Sequence, residues 1–181
     1  FKPIEKGIDV EIQAATKYVV GHSDAMLGLV ACTEKTYQAV KNSARNQVIS
    51  AGPDTCYLGL RGLRTMALRM NAQYDSAMEV ANWLERQNIV EEVLYPPLKS
   101  SHSHENWEKN FTGGGSLMSI VLNKQYSDQE LASMLDHMEL FAMGYSWGGF
   151  ESLITPCQLQ KDRISDIDRF NNTFMRLHIG L

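Results

Sequence analysis

Residues Asp9–Ser23 read DVEIQAATKYVVGHS and place one lysine, Lys17, among small and apolar neighbours. Most lysines lie among polar residues on a wet surface. A lysine between the small run 14–16 and the apolar run 18–21 suits an amine that is partly removed from water and closely approached by a planar ligand. Such an amine loses proton affinity and becomes a nucleophile that can condense with a carbonyl carbon. The alternative is an ordinary lysine at the surface or core edge of an unrelated α/β domain.

The whole run resembles the cofactor-attachment signature of the pyridoxal-phosphate-dependent enzymes of Cys/Met metabolism, a family of β-lyases, γ-lyases and γ-synthases. The resemblance implies pyridoxal 5'-phosphate as cofactor, with Lys17 as its attachment point and as the general base for the substrate Cα proton. It assigns the Thr16 hydroxyl to the cofactor phosphate, with a plain strand-end hydroxyl as the alternative. Relatives commonly carry a serine where this chain has Ala14, so one phosphate donor is missing. Tyr18 and His22 are implied to support the turn by packing and hydrogen bonding.

A second motif, GYSWGGFES, occupies residues 144–152. A tryptophan beside two glycines makes poor core filler, because glycine packs little and is flexible, but it suits the wall of a pocket. The motif is similar to the S-x-G-G-x-E-S stretch of the same family, and its Tyr-Ser-Trp-Gly-Gly form resembles the bacterial β-lyase branch. This resemblance implies that Ser146 and Trp147 bind the substrate carboxylate and shape the pocket. A buried aromatic strand is the alternative.

A third motif, MRLHIGL at residues 175–181, alternates like a strand. Alternation puts Met175, Leu177 and Ile179 on one face and Arg176 and His178 on the other. An arginine in an apolar strand needs an anionic partner, and its guanidinium fits a carboxylate with two hydrogen bonds. Resemblance to the family's R-L-S/H-I/V-G-L element implies that the arginine binds the substrate α-carboxylate. An ion pair with an aspartate or glutamate is the alternative.

Composition narrows the classes of function. The chain has 181 residues, 44% of them hydrophobic, which is enough for one or two small domains with a core. A net charge of −4 argues against a nucleic-acid partner, and no apolar run approaches the roughly 20 residues of a membrane span. Three scattered cysteines fit free thiols in a reducing cytoplasm. His102 and His104 lack companions at zinc spacing, so we expect no metal site.

Periodicity predicts the order of the elements. Val90–Leu94, Leu117–Leu122 and the third motif are predicted strands, and residues 26–32 are predicted to form a buried strand. Helices are predicted for residues 34–46 and, as one long connector, for about 56–87, and a capping box of Ser127 and Glu130 begins another. Residues 99–110 are expected to form a loop. Interleaved strands and helices favour an α/β chain that ends in a smaller domain with a mainly antiparallel sheet.

The family resemblance covers essentially the whole chain. It implies an α/β fold, that of the type I pyridoxal-phosphate-dependent aminotransferases. Residues 1–62 would be the C-terminal remnant of the cofactor-binding large domain, and residues 63–181 the linking long helix and the small C-terminal α/β domain. It also implies a carbon–sulfur lyase that converts L-cystathionine into homocysteine, pyruvate and ammonia by α,β-elimination. Such an enzyme would serve methionine biosynthesis and transsulfuration in the cytoplasm as a homo-oligomer, a tetramer in the family.

Relatives place a phosphate-binding helix N-terminus, a stacking tyrosine and a pyridine-binding aspartate upstream of the lysine, and none of these precedes Phe1. We therefore expect this chain to be the C-terminal half of the enzyme, with weak cofactor binding and little turnover alone. Two alternatives stay open. One is a γ-lyase or γ-synthase, disfavoured by Trp147, where many γ-acting relatives have leucine. The other is a catalytically silent α/β module that associates with a complementary chain.

Overall fold

The computed structural model describes residues 1–157 and 172–181, and it divides the chain into two compact units, Phe1–Ala67 and Leu68–Leu181. The predicted interleaving of helices and strands is confirmed. In chain order the elements are β1 (Val10–Ala14), β2 (Gly28–Cys32), α1 (Glu34–Asn46), α2 (Pro53–Leu63), α3 (Met66–Leu84), β3 (Val90–Leu94), α4 (His104–Asn110), β4 (Leu117–Leu122), α5 (Asp128–Leu135), β5 (Ala142–Met143), β6 (Leu153–Cys157) and β7 (Phe174–His178).

The first unit is built on an antiparallel hairpin of β1 and β2, with the lysine turn between the strands. The sequence missed β1 and was wrong about the burial of residues 26–32. They do form a strand, but most of β2 is exposed because it pairs only with β1 in a two-stranded sheet. Large apolar side chains stay open to solvent, among them Ile12 at 79%, Met26 at 86% and Val48 at 86% exposure.

The second unit contains a five-stranded sheet in the order β3-β4-β7-β6-β5, antiparallel throughout except for the parallel pair β5–β6. The predicted alternation in β7 is confirmed, because Met175, Leu177 and Ile179 are buried in one apolar core. Helices α3 and α5 contribute to the same core, and the capping box that begins α5 is present. Met175 and Leu177 on one face of β7, and Ile179 just beyond its end, thus share a core with helices α3 and α5, whereas Arg176 and His178 on the other face make hydrogen bonds.

Two helix predictions were wrong. The long helical period breaks at Arg64 and Thr65, so α2 and α3 are separate helices. Residues 104–110, expected in a loop, form α4. The buried face of α3 includes the polar residues Arg69 and Gln73 and continues to Ala77, Ala81 and Leu84, so burial recurs at steps of four and finally three residues along this helix.

Candidate functional site

Lys17 lies in a tight turn that joins β1 to the start of β2. Its backbone N–H donates to Ala14 O at 3.1 Å, and its carbonyl accepts from Gly21 N at 2.8 Å. A further bond of 2.9 Å, from Val20 N to Ala15 O, closes the same turn. The lysine is half-buried while Ala15 and Val20 are buried. The turn therefore holds the backbone of Lys17 firmly and leaves its long side chain partly accessible.

Thr16 connects this turn to the chain that enters β2. Its Oγ1 accepts from Leu27 N at 2.9 Å, and its hydroxyl donates to Leu27 O at a longer 3.3 Å. The backbone N–H of Thr16 also donates to Leu27 O, at 3.0 Å. A hydroxyl has one proton. Donation to a phosphate would therefore replace only the 3.3 Å bond, whose acceptor keeps the backbone donor.

Two further features brace the turn from behind. The ring Nδ1 of His22 lies 2.7 Å from Val20 O and must donate to it, because a carbonyl oxygen only accepts. Gly62 of α2 lies so close that an added Cβ would collide with the carbonyl oxygens of Val19 and Val20. The sequence interpretation of His22 as a support fits this geometry, whereas the sequence assigned no role here to Gly62. The close packing of this glycine depends on tertiary contact and has no local signature.

The second unit brings Trp147 and Arg176 together. The Arg176 guanidinium lies 5.5 Å from the centre of the Trp147 ring, within cation–π distance, and its Nη2 donates to Tyr145 O at 2.7 Å. In the sheet Arg176 pairs with Ser119 of β4 and Thr155 of β6. The guanidinium is therefore held by one hydrogen bond to Tyr145 and by its contact with the Trp147 ring. The bond to Tyr145 uses one of its five N–H groups.

Ser146 precedes Trp147 in the same short segment and is exposed. Sequence reasoning thus named three residues, Ser146, Trp147 and Arg176, that the structure collects in one place in the second unit. The two other predicted site residues, Thr16 and Lys17, share the turn of the first unit.

The segment that follows Trp147 is fixed by residues the sequence did not assign to the site. His178 is buried; its Nε2 accepts from Gly148 N at 2.8 Å and its Nδ1 contacts Glu151 O at 3.0 Å. Gln73 of α3, also buried, donates to Gly149 O at 2.7 Å. Two features of the sequence could have indicated these residues. Gln73 is a polar residue four positions before Ala77 on the buried side of a helix, and His178 is a histidine on the same strand face as Arg176.

Burial lowers the pKa of His178, and the positive charge of Arg176 lowers it further. The backbone bond to Glu151 and the carboxylate of Glu151 act in the opposite direction and raise it. The lowering prevails. The imidazole is therefore neutral near pH 7, in agreement with the acceptor role of its Nε2.

The donor set of the lysine turn fits a ligand with an aldehyde and a phosphate. Lys17 offers a half-buried primary amine, and the preceding Thr16 offers a hydroxyl whose proton is weakly committed. Among residues 1–157 and 172–181 no group of three or more histidine, cysteine, aspartate or glutamate side chains is placed to hold a metal ion. In the same part of the chain, no helix has the length and hydropathy to span a membrane.

Comparison with known proteins gives a consistent result. The family model for the Cys/Met metabolism PLP-dependent enzymes matches residues 1–181. The cystathionine beta-lyase of Escherichia coli (strain K12) is 44% identical over 187 residues, and an L-alanine/L-glutamate racemase of Wolbachia pipientis wMel is 39% identical over 182 residues. Each alignment covers 100% of this chain, and 47% and 45% of the relative, respectively. The chain thus spans about half the length of the curated relatives it matches.

The fold is also found among solved structures. The crystal structure of cystathionine gamma synthase from Xanthomonas oryzae pv. oryzae, in complex with aminoacrylate and cysteine, matches with a TM-score of 0.86 at 27% identity. The match covers 99% of this chain and 47% of that one. Both β- and γ-acting proteins are therefore similar to this chain.

Proposed function

Because this chain belongs to the family of Cys/Met metabolism PLP-dependent enzymes, we propose that it supplies the lysine and the carboxylate clamp of a carbon–sulfur lyase that acts on L-cystathionine. The observation that carries the proposal is the cluster of Ser146, Trp147 and Arg176, in which a guanidinium is held against an aromatic wall. The identity of 44% to a cystathionine beta-lyase over the whole chain supports the β-acting reaction.

The cofactor of the family is pyridoxal phosphate, which when bound accepts the electron pair left at the substrate Cα. Thr16 would hold its phosphate and Lys17 its aldehyde. Arg176 would bind the substrate α-carboxylate through a guanidinium fork, with Trp147 and Ser146 beside it. Lys17 Nζ would then remove the proton from Cα. Cleavage of the Cβ–S bond sends its electron pair to sulfur, homocysteine leaves as a thiolate, and the three-carbon remainder hydrolyses to pyruvate and ammonia.

Two alternative functions are each supported by similarity to a particular protein. A γ-acting enzyme is supported by the likeness to a cystathionine gamma synthase, and it would yield 2-oxobutyrate from cystathionine. Racemisation is supported by the 39% identity to an L-alanine/L-glutamate racemase. Neither alanine nor glutamate has a leaving group on Cβ, so β-elimination cannot follow removal of the Cα proton, and return of a proton to the opposite face of Cα would give the other enantiomer. The same lysine chemistry would then invert Cα instead of cleaving a bond.

We also propose that the chain needs further polypeptide to act. In the first unit, Ile12, Met26 and Val48 expose most of their side-chain surface. This observation supports residues 1–62 as part of a larger cofactor-binding domain, distinct from the small domain of residues 63–181. Family resemblance supports a cytoplasmic homotetramer that serves methionine biosynthesis. A silent module that only associates with a complementary chain is the competing proposal.

The test is product analysis with a complementation arm. The purified chain, alone and co-expressed with the amino-terminal half of the Escherichia coli relative, is supplied with pyridoxal phosphate and L-cystathionine. We expect thiol and pyruvate in equal amounts from the co-expressed pair, little from the chain alone, and none from a Lys17→Arg pair. 2-Oxobutyrate would favour the γ-acting candidate, and D-alanine formed from L-alanine without lyase products would favour the racemase. A pair that folds, binds the cofactor and forms no product would support the silent module.

A further inference from the structure

The residues on either side of Ser146 and Trp147 are both hydrogen-bonded to side chains of β7. On one side, Tyr145 O accepts from Arg176 Nη2 at 2.7 Å. On the other, Gly148 N donates to His178 Nε2 at 2.8 Å. Arg176 and His178 are two residues apart on one strand and so project from the same face of the sheet. The motif is therefore bracketed by neighbouring side chains of a single strand.

Beyond Gly148 the backbone is fixed at consecutive residues. The carbonyl of Gly149 accepts from Gln73, that of Phe150 from Leu181 N at 3.0 Å, and that of Glu151 from His178 Nδ1. Gly148 itself has φ 78°, a left-handed conformation that favours glycine. A sharp turn held by this many bonds leaves little freedom for the two residues before it.

Only one protonation form of His178 makes both of its bonds. Nε2 must have a lone pair to accept from Gly148 N–H, and Nδ1 must have a proton to donate to the carbonyl of Glu151. This is the neutral imidazole protonated on Nδ1. A second proton would point Nε2–H at the Gly148 N–H and break the bond that ends the bracket.

We propose that His178 is a positioning residue for the substrate carboxylate: its neutral imidazole clamps Gly148 and Glu151 and so sets where Ser146 and Trp147 lie relative to Arg176. We call the two bonds of His178, to Gly148 and Glu151, the clamp. The proposal rests on the proposed function only in naming the ligand. That ligand is the α-carboxylate of an amino acid, which Arg176 would bind and which Ser146 and Trp147 would face. His178 acts through the backbone of the segment and not on the substrate itself.

Within residues 1–157 and 172–181, the charged groups that shift the pKa of the ring include Arg176, on the same strand, and Glu151, on the facing segment. Helix α3 contributes the neutral amide of Gln73 to that segment. Burial, reinforced by Arg176, lowers the pKa of His178, so the neutral form persists at pH values where exposed histidines have become charged. Acidification through this lowered pKa would open the clamp.

The first test needs no catalysis. Nitrogen-15 NMR of the histidine-labelled chain should show the His178 ring neutral, with the proton on Nδ1, down to a pH below the ordinary histidine pKa of about 6.5. Amide exchange of residues 144–152 should rise at least tenfold in His178→Phe. His178→Gln, which places an acceptor near the Nε2 position, should restore protection at Gly148. A proton on Nε2 in the wild type, or unchanged exchange in His178→Phe, would overturn the proposal.

The second test separates positioning from mere structure. In the complemented enzyme, His178→Phe should raise KM for L-cystathionine at least tenfold and lower kcat much less, with partial rescue by His178→Gln. His178→Asn keeps a donor near Nδ1, so it serves as a second variant that lacks only the bond to Gly148. Faster exchange with an unchanged KM would overturn the positioning role. Absence of turnover in the wild type would contradict the proposed function, while the clamp is still judged by the tautomer and by exchange.

Discussion

Substitution of Gly62 by alanine tests how tightly the lysine turn is packed. A Cβ at Gly62 would collide with the backbone carbonyls of Val19 and Val20, which cannot rotate aside. At Gly59, three residues earlier in α2, a Cβ would lie 2.5 Å from the end of the Leu27 side chain, which can move. Both changes gain roughly 0.5–1 kcal/mol of helix propensity, so that gain cancels in the comparison. The difference between them is the cost of overpacking against fixed backbone, about 1–3 kcal/mol.

Amide exchange measures this cost where it acts. The amides of Val20 and Gly21 donate within the turn that holds Lys17. A difference of about 1–3 kcal/mol corresponds to exchange that is roughly 5- to 150-fold faster in Gly62→Ala than in Gly59→Ala. The cofactor affinity of the complemented enzyme should fall in the same order. Equal protection of the turn in the two variants would refute the idea that α2 positions the lysine.

Four shorter predictions concern the second unit, and one of them uses a control residue, Met26, in the first unit. Ser127→Ala removes the capping box and should cost about 1 kcal/mol by denaturant unfolding with unchanged m. The hydrogen bonds from Ser127 lower the pKa of Glu130, so the ionised carboxylate stabilises the folded chain at pH values above its unfolded pKa. The difference in unfolding free energy between the wild type and Glu130→Gln should therefore shrink as the pH falls through the folded pKa. A difference that grows in acid would contradict this. Met175→Ala should destabilise by about 2–5 kcal/mol while exposed Met26→Ala stays within about 0.5 kcal/mol, as followed by tryptophan fluorescence. Arg176→Lys should raise KM for cystathionine roughly tenfold or more, since lysine lacks the planar fork, and an unchanged KM would remove Arg176 from carboxylate binding.

The sequence predicted best where short-range chemistry decides the structure. The bounds of β3 and β4 followed from apolar runs between turn residues, and the start of α5 followed from its capping box. These elements depend on neighbours within a few residues. Local pattern is therefore sufficient for them.

Prediction failed where distant segments decide. The apolar run of β2 reads as buried, yet burial needs a covering layer, and β2 pairs only with β1. The sequence assigned no role to Gly62, yet in the fold this glycine of α2 closely approaches another segment. Motif resemblance predicted roles for Arg176 and Trp147, which stay predictions, whereas the contacts of His178 with Gly148 and Glu151 emerged only from the hydrogen bonds of the folded chain.

The most direct measurement is the site of cofactor attachment. The complemented protein is loaded with pyridoxal phosphate, reduced with borohydride, digested and mapped by mass spectrometry. A phosphopyridoxyl group on Lys17, and its loss in Lys17→Arg, is the result we predict. Modification spread over other lysines of the chain, with Lys17 left unmodified, would contradict the account at its centre.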